Sequence, residues 1–204
     1  PTLIGLFIFR IYPLVLSVYD SLFKYSFINK SHFFAGLDNY IEALADPTFL
    51  NSIKVTLILN LIVNPVQVLL SFGLALLLVV KLKGQKVFRT LHLVPVTVSF
   101  TIACTLWGVL LSPEQGLMNS LFNMFGMPSQ AFLNDKSQAL AWVIVIASWK
   151  GIGYWVLFFI AGLEDIPTQL YEAAAIDGAS YIKRLFYIIL PQMKRTFLFV
   201  IVSD

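Results

Sequence analysis

The chain reads as an all-α membrane protein, a polytopic bundle of transmembrane helices. Three observations predict this. Of its 204 residues, 58% are hydrophobic and only 12% are charged, whereas a soluble domain carries roughly 25% charged residues. Four stretches each approach the roughly 20 apolar residues that a helix needs to cross a bilayer. Basic residues gather in alternate connections between those stretches, the pattern expected of a chain that threads back and forth.

The first expected span covers residues 2–23 and is interrupted by Arg10. The second covers 55–80, the third 91–111, and the fourth 139–163, interrupted by Lys150. A fifth begins near Phe197, in "FLFVIVSD", and the sequence stops inside it. The sequence also starts at Pro1 without a methionine and is apolar from the outset. We therefore expect a piece of a larger membrane domain, 1–204, with its true N-terminus and its C-terminal part missing. No cleavable signal with a charged leader is visible.

Orientation follows from the connections. Lys81, Lys83, Lys86 and Arg89 follow the second span, and Lys183, Arg184, Lys194 and Arg195 follow the fourth. The other two connections hold Lys24, Lys30, Lys54 and Lys136, mixed with Asp38, Glu42, Asp46, Glu114 and Asp135. Eight basic residues against four place segments 81–89 and 166–191 on the cytoplasmic face. The outer connections carry order of their own. Tyr40, Ile41 and Leu44 have helical spacing before a turn at Asp46-Pro47, and Pro113, Gly116, Gly126 and Pro128 punctuate the second.

Several chemistries are excluded or disfavoured. A net charge of +3, spread along the chain, gives no basic face for nucleic acid. No GxxxxGK[ST] phosphate loop occurs, and the dipeptide Gly-Lys is absent, so any ATP hydrolysis must come from a partner. His32 and His92 lie far apart without metal or acid–base spacing, and Cys104 stands alone in an apolar run. An intramembrane enzyme is disfavoured on these grounds.

The polar insertions in apolar spans carry the remaining information. A cation at mid-bilayer costs several kcal/mol or more, so it faces protein, water or the nearest interface. Arg10 can reach toward an interface or pair within a subunit contact. Lys150 sits between Trp149 and Gly151-Ile152-Gly153, with Tyr154 following. It either lines a solute path or serves as a packing partner. Asn60, Asn64, Pro65 and Gln67 make one side of the second span polar. Amides beside aromatics suit a sugar, whose hydroxyls need hydrogen bonds and whose ring face stacks on aromatic planes. The same amides also serve as glue between helices. Asn64, Gln67, Trp149, Lys150 and Tyr154 are the candidates for contact with solute.

The stretch "EAAAIDGASYIKRLFYIILP", residues 172–191, is the most specific signal. Pro167 suits the first turn of a helix, and Gly178 suits the left-handed position just past its end. About eleven residues, or roughly 16 Å of helix, lie between them, too few to span a membrane. Ala173, Ala174 and Ala175 give high helix propensity with little bulk, and Glu172 and Asp177 flank them. Ser180 can cap a following helix in which Tyr181, Phe186 and Ile189 stand beside Lys183 and Arg184. Such a helix suits the membrane–water boundary, and Pro191 is expected to end it. Pattern alone leaves two readings open: an interfacial helix with Glu172 solvated and Asp177 as a cap, or a docking element.

The spacing Glu172-Ala173-Ala174, Gly178, Ile188 and Leu190-Pro191 resembles the EAA loop of ABC importer permeases. "GLDNY", "FRTLHLVP", "PEQGLMN", "WKGIG" and "AGLEDIP" are similar to the carbohydrate-uptake branch, of the maltose and glycerol-phosphate transporter type. The resemblance covers nearly the whole chain and departs in span number, since family members have at least six. It implies the helix bundle of that permease type, 166–191 as its cytoplasmic EAA loop, and a multi-pass place in a bacterial or archaeal plasma membrane. It also implies a second permease subunit, two copies of a cytoplasmic ATPase that binds ATP-Mg, and an external solute-binding protein. The chain itself would be no enzyme and would hold no cofactor. Glu172, Ala173, Ala174, Asp177 and Gly178 would couple the ATPase to the pore, and the solute would be a sugar or oligosaccharide. A permease for glycerol phosphate or an amino acid is the alternative.

Overall fold

The computed structural model describes residues 2–26, 31–80 and 85–204. They form two compact units, Pro1–Ile58 and Leu59–Asp204. In the first unit, α1 (Thr2–Asp20) is apolar and opens into one wide turn at Phe7–Ile11, which carries an exposed Arg10. The expected first span ends three residues early, because Phe23 belongs to a strand. Strands β1 (Phe23–Ser26) and β2 (Ser31–Phe34) pair antiparallel, with Phe23 opposite Phe34 and Tyr25 opposite His32. This hairpin is a small β element in a chain expected to be all helix. Facing aromatic pairs stabilise such ribbons, and here the Phe23–Phe34 rings lie 5.4 Å apart and Tyr25–His32 4.7 Å. His32 is thus a stacking residue.

Helix α2 (Asp38–Ala45) follows and secures the hairpin. Asn39 donates to Ser21 O at 2.7 Å and to Phe23 O at 3.0 Å, and Glu42 pairs with Lys24. Helix α3 then runs Pro47–Val79, eight residues longer at its start than the second span read from hydropathy. The cause is polar and local. Asp46 accepts from Thr48 N at 2.8 Å, and Pro47 fits the first turn, where no N–H is needed.

The second unit holds the rest of α3 together with α4 (Gln85–Thr97), α5 (Phe100–Leu110), α6 (Leu117–Met124), α7 (Lys136–Glu164), α8 (Thr168–Ile176), α9 (Tyr181–Gln192) and α10 (Lys194–Ser203). Asp135 starts α7 by accepting from Ser137 N at 2.7 Å. Ser137 also donates its hydroxyl, and the two bonds hold the Asp135 carboxyl below the usual carboxylate range. Among the described residues, α1, α3 and α7 are long and apolar enough to cross a membrane singly.

The other two apolar stretches are broken. The third span was expected as one rod, yet α4 and α5 meet at 99°. Pro95 withdraws a donor just before the break. Ser99, in extended conformation, begins a new helix by accepting from Ile102 N at 3.3 Å. The last span is also bent, with α9 and α10 meeting at 64°. Pro191 does not end α9, as the sequence suggested; it lies in its last turn, and the bend falls at Met193. A wide turn at Leu185–Ile189 precedes it. Such a turn relaxes the ladder where a proline must be accommodated.

The core joins α3, α7 and the α9–α10 pair. Phe72 meets Phe159 at 5.5 Å and Phe197 at 4.9 Å, with Ala75, Val156, Ile160, Met193 and Val200 around them. In a bilayer such contacts hold helices by close packing rather than by leaving water. Closeness is greatest between α7 and α4: a Cβ on Gly153 would lie 2.2 Å from His92 O. Only glycine permits that approach. The basic segment 81–84, with Lys81 and Lys83, lies outside the described residues.

Candidate functional site

Two polar features stand out from the apolar bundle. The first is α8 with its exit turn. Pro167 precedes the helix rather than opening it, and Leu170 N bonds back to Pro167 O at 3.1 Å. At the other end Gly178 has φ +66°. Gly178 N donates to Ala175 O at 3.1 Å, and Ala179 N donates to Ala174 O at 2.8 Å. These paired bonds are the Schellman closure, which satisfies the last carbonyls of the helix. Ser180 then caps α9, accepting from Lys183 N at 3.4 Å.

This geometry sorts the five candidate residues. Ala174 is buried within the chain, at 7% exposure, and therefore faces the bundle. Glu172, Ala173, Asp177 and Gly178 are exposed. Asp177 is the last residue before the turn, its N–H bonded to Ala173 O at 3.0 Å. Ile176, which sequence reasoning passed over, is 87% exposed. Flanked by Ala175 and Asp177, it adds an apolar side chain to the exposed face of α8. Beneath α8, Tyr171 and Tyr181 face a cavity of about 150 Å³ with Leu76, Val79, Leu163 and Ile189. Burial raises the Tyr171 phenol pKa, and the nearby Tyr181 adds to the rise.

The second feature lies along α3 and α7. Gln67 is buried; its Nε2 donates to Ala147 O at 3.1 Å, and its Oε1 accepts from Trp155 Nε1 at 3.1 Å. Trp155 Nε1 also reaches Asp204 Oδ1 at 2.6 Å. Ser71 donates to Ile152 O at 3.1 Å. Gln67 thus ties α3 to α7. Trp155 and Asp204 join the cluster although the sequence reading did not single them out. The available signal was Asp204 itself, an acid directly after the apolar stretch "FLFVIVS", since an acid in a membrane segment is a functional flag. Tyr154 is exposed beside this cluster, its ring 4.9 Å from Trp155. Asn64 is half-buried on α3.

Lys150 has a specific place. Its ammonium donates to Val98 O at 2.8 Å and to Pro95 O at 3.2 Å. These carbonyls lie at the break between α4 and α5, where the helix ladder is interrupted and acceptors are left over. The negative end of α4 also favours a cation there. Lys150 therefore pins the bend, and its stem lines a largely apolar cavity of about 210 Å³ with Phe100, Ala103, Cys104, Leu133 and Val143. Trp149, next to it, packs edge-on to Trp107 at 5.6 Å. The structure brings Gln67 and Tyr154 to one cluster through Trp155, and gives Lys150 and Trp149 to the α4–α5 break.

Comparison with known proteins agrees with this architecture. Residues 33–204 match the family described as "Binding-protein-dependent transport system inner membrane component". The sn-glycerol-3-phosphate transport system permease protein UgpA of Agrobacterium fabrum is 35% identical over 208 residues, covering 100% of this chain and 69% of that protein. The protein named "Probable ABC transporter permease protein YurN" of Bacillus subtilis is 35% identical over 198 residues, covering 95% of this chain and 68% of that one. The crystal structure of a bacterial alginate ABC transporter, in complex with an alginate pentasaccharide-bound periplasmic protein, contains a chain that superposes with a TM-score of 0.86. It is 25% identical and matches 100% of this chain and 68% of its own. The chain belongs to the binding-protein-dependent inner membrane components: it is a multi-pass permease subunit of an ABC importer, whose ATP hydrolysis resides in a separate subunit.

Proposed function

We propose that this permease imports sugars or oligosaccharides and that α8 is its contact with the ATPase. Residues 1–204 act as one permease domain, with 166–191 as its cytoplasmic loop. A second permease subunit completes the pore, two copies of an ATPase hold ATP-Mg, and an external binding protein delivers solute, in a bacterial or archaeal plasma membrane. The observation that carries the coupling reading is the exposed face of α8. Glu172, Ala173, Ile176 and Asp177 stand free of the bundle, while the Gly178 turn fixes that face in shape. Ala173 allows close approach, Ile176 fills an apolar pit, and Glu172 meets a basic group. Tyr154 and Asn64 are the proposed contacts for hydroxyl-rich solute, held in place by the Gln67–Trp155–Asp204 cluster, with Trp149 and Lys150 shaping the wall beside them.

A second reading, glycerol phosphate, is favoured by the UgpA relatives, 32–35% identical to this chain. A phosphate would want a free cation. Lys150 already turns two of its three donors to carbonyls, which weighs toward a neutral solute. The test is competition for uptake in membrane vesicles holding the assembled transporter. Unlabelled oligosaccharides should compete with the transported radiolabelled sugar, and glycerol 3-phosphate should not. Competition by glycerol 3-phosphate alone would select the second reading.

A further inference from the structure

Three helix ends meet at one guanidinium. Arg89 stands one turn into α4, within the stretch "FRTLHLVP". Its Nη2 donates to Glu164 Oε1 at 2.9 Å and to Leu78 O at 3.3 Å. Glu164 is the last residue of α7, and only residues 165–167 separate it from α8. Leu78 is the penultimate residue of α3, where helix carbonyls lack intrahelical donors and attract a cation.

Stability alone gives a poor reason for this arrangement. The side chains are 33% and 55% exposed, and an ion pair so open to solvent returns little. Arg89 Nε is buried without a hydrogen-bond partner, which costs stability. What the contact does supply is position. At its far end α4 is held to α7 by Lys150, and between the two ends Gly153 brings the backbones together. The Arg89–Glu164 pair closes the near end, at the root of α8.

We propose that Arg89 and Glu164 are positioning residues of the transport cycle, a clasp that passes displacement of α8 to α4 and so to the bend shared with α5. The proposal rests on the reading of α8 as the ATPase contact. Without the clasp, α8 pulls on α7 alone, and α4 can lag behind. With it, α8 and α4 travel as one body, the kind of rigid shift by which packed helices carry such signals.

The test uses the complete transporter, with its ATPase, in lipid nanodiscs. Cys104, the single cysteine, is replaced by alanine, and nitroxide labels are placed at Gln169 on α8 and Val87 on α4. Pulsed electron resonance measures their separation without nucleotide and after trapping with ATP and vanadate. In the parent protein the separation should stay constant. In Arg89→Glu and in Glu164→Arg it should shift between the two states by about 2 Å, the scale of helix displacements in such transitions. The double exchange, Arg89→Glu with Glu164→Arg, should restore constancy, which a merely structural disturbance would not do. A changing separation in the parent, a constant one in assembled single variants, or no rescue by the exchange would each overturn the clasp. Failure of the ATPase to co-purify with the parent would instead overturn the docking reading, and the clasp with it.

Discussion

The chain leaves helical geometry at two places beside its candidate sites, Gly178 and the Val98–Ser99 break, and it does so in opposite ways. The turn at Gly178 is built from its own neighbours. Its bonds join residues three to five apart, Gly178 to Ala175 and Ala179 to Ala174 among them, and its φ of +66° favours glycine. The break between α4 and α5 depends on Lys150, more than fifty residues away. A self-contained turn keeps its shape while it moves as a unit. A bend pinned from another helix changes when that helix shifts. The first suits a handle and the second a hinge.

That contrast is sharpest at Lys150. Lys150→Met removes the donor for Pro95 O and Val98 O, and each part-buried acceptor left unmet costs up to about 1–3 kcal/mol. The expected loss is therefore roughly 2–6 kcal/mol of stability, together with loss of uptake. Thermal melting in nanodiscs and vesicle uptake measure both. An unchanged melt with normal uptake would remove the pin from the account. Of the two roles the sequence left open for Lys150, the bonds to Pro95 O and Val98 O favour that of packing partner.

Gly153→Val probes the same wall from the middle. A Cβ 2.2 Å from His92 O meets backbone that cannot rotate aside, so α4 must move off α7. Overpacking of this kind costs about 1–3 kcal/mol. The variant should melt earlier. Equal melting would show that α4 and α7 separate without cost.

Sharper in meaning, and smaller in stability for its outward member, is the pair Ala174→Leu and Ala173→Leu. Ala174 faces the bundle and Ala173 faces outward. The first should cost about 1–3 kcal/mol by overpacking. The second, on an exposed face, should stay within about 0.5 kcal/mol and yet weaken ATPase attachment. Equal destabilisation by both would contradict the orientation of α8.

What the sequence revealed follows the same division. Features made by near neighbours were readable: the Gly178 turn, the Ser180 cap, the short helix at Asp38–Ala45 and the long span through Lys150. Features that depend on distant partners were not. "VPVTVSF" is apolar enough to pass for the middle of a span, and nothing local says that Lys150 will hold it bent. The hairpin was missed because "FKYS" and "SHFF" are each four residues long and gain stability only by facing each other. Gln67 was recognised as polar in an apolar helix, but its partners, the Ala147 carbonyl and the Trp155 indole, come from another helix. Ala173 and Ala174 look alike in sequence, and only packing tells the inward one from the outward one.

The central claim is that the outward face of α8 holds the ATPase. Ala173→Trp and Gly178→Val address it most directly. The first adds bulk to the docking face, and the second forces a β-branched residue into a left-handed turn, a strain of about 1–3 kcal/mol. The measurement is the amount of ATPase that co-purifies with the permease pair, with solute capture by the external binding protein as the control. The account predicts that both variants lose most of the ATPase while solute capture is unchanged. Full retention of the ATPase by both, with uptake at the parent rate, would contradict it.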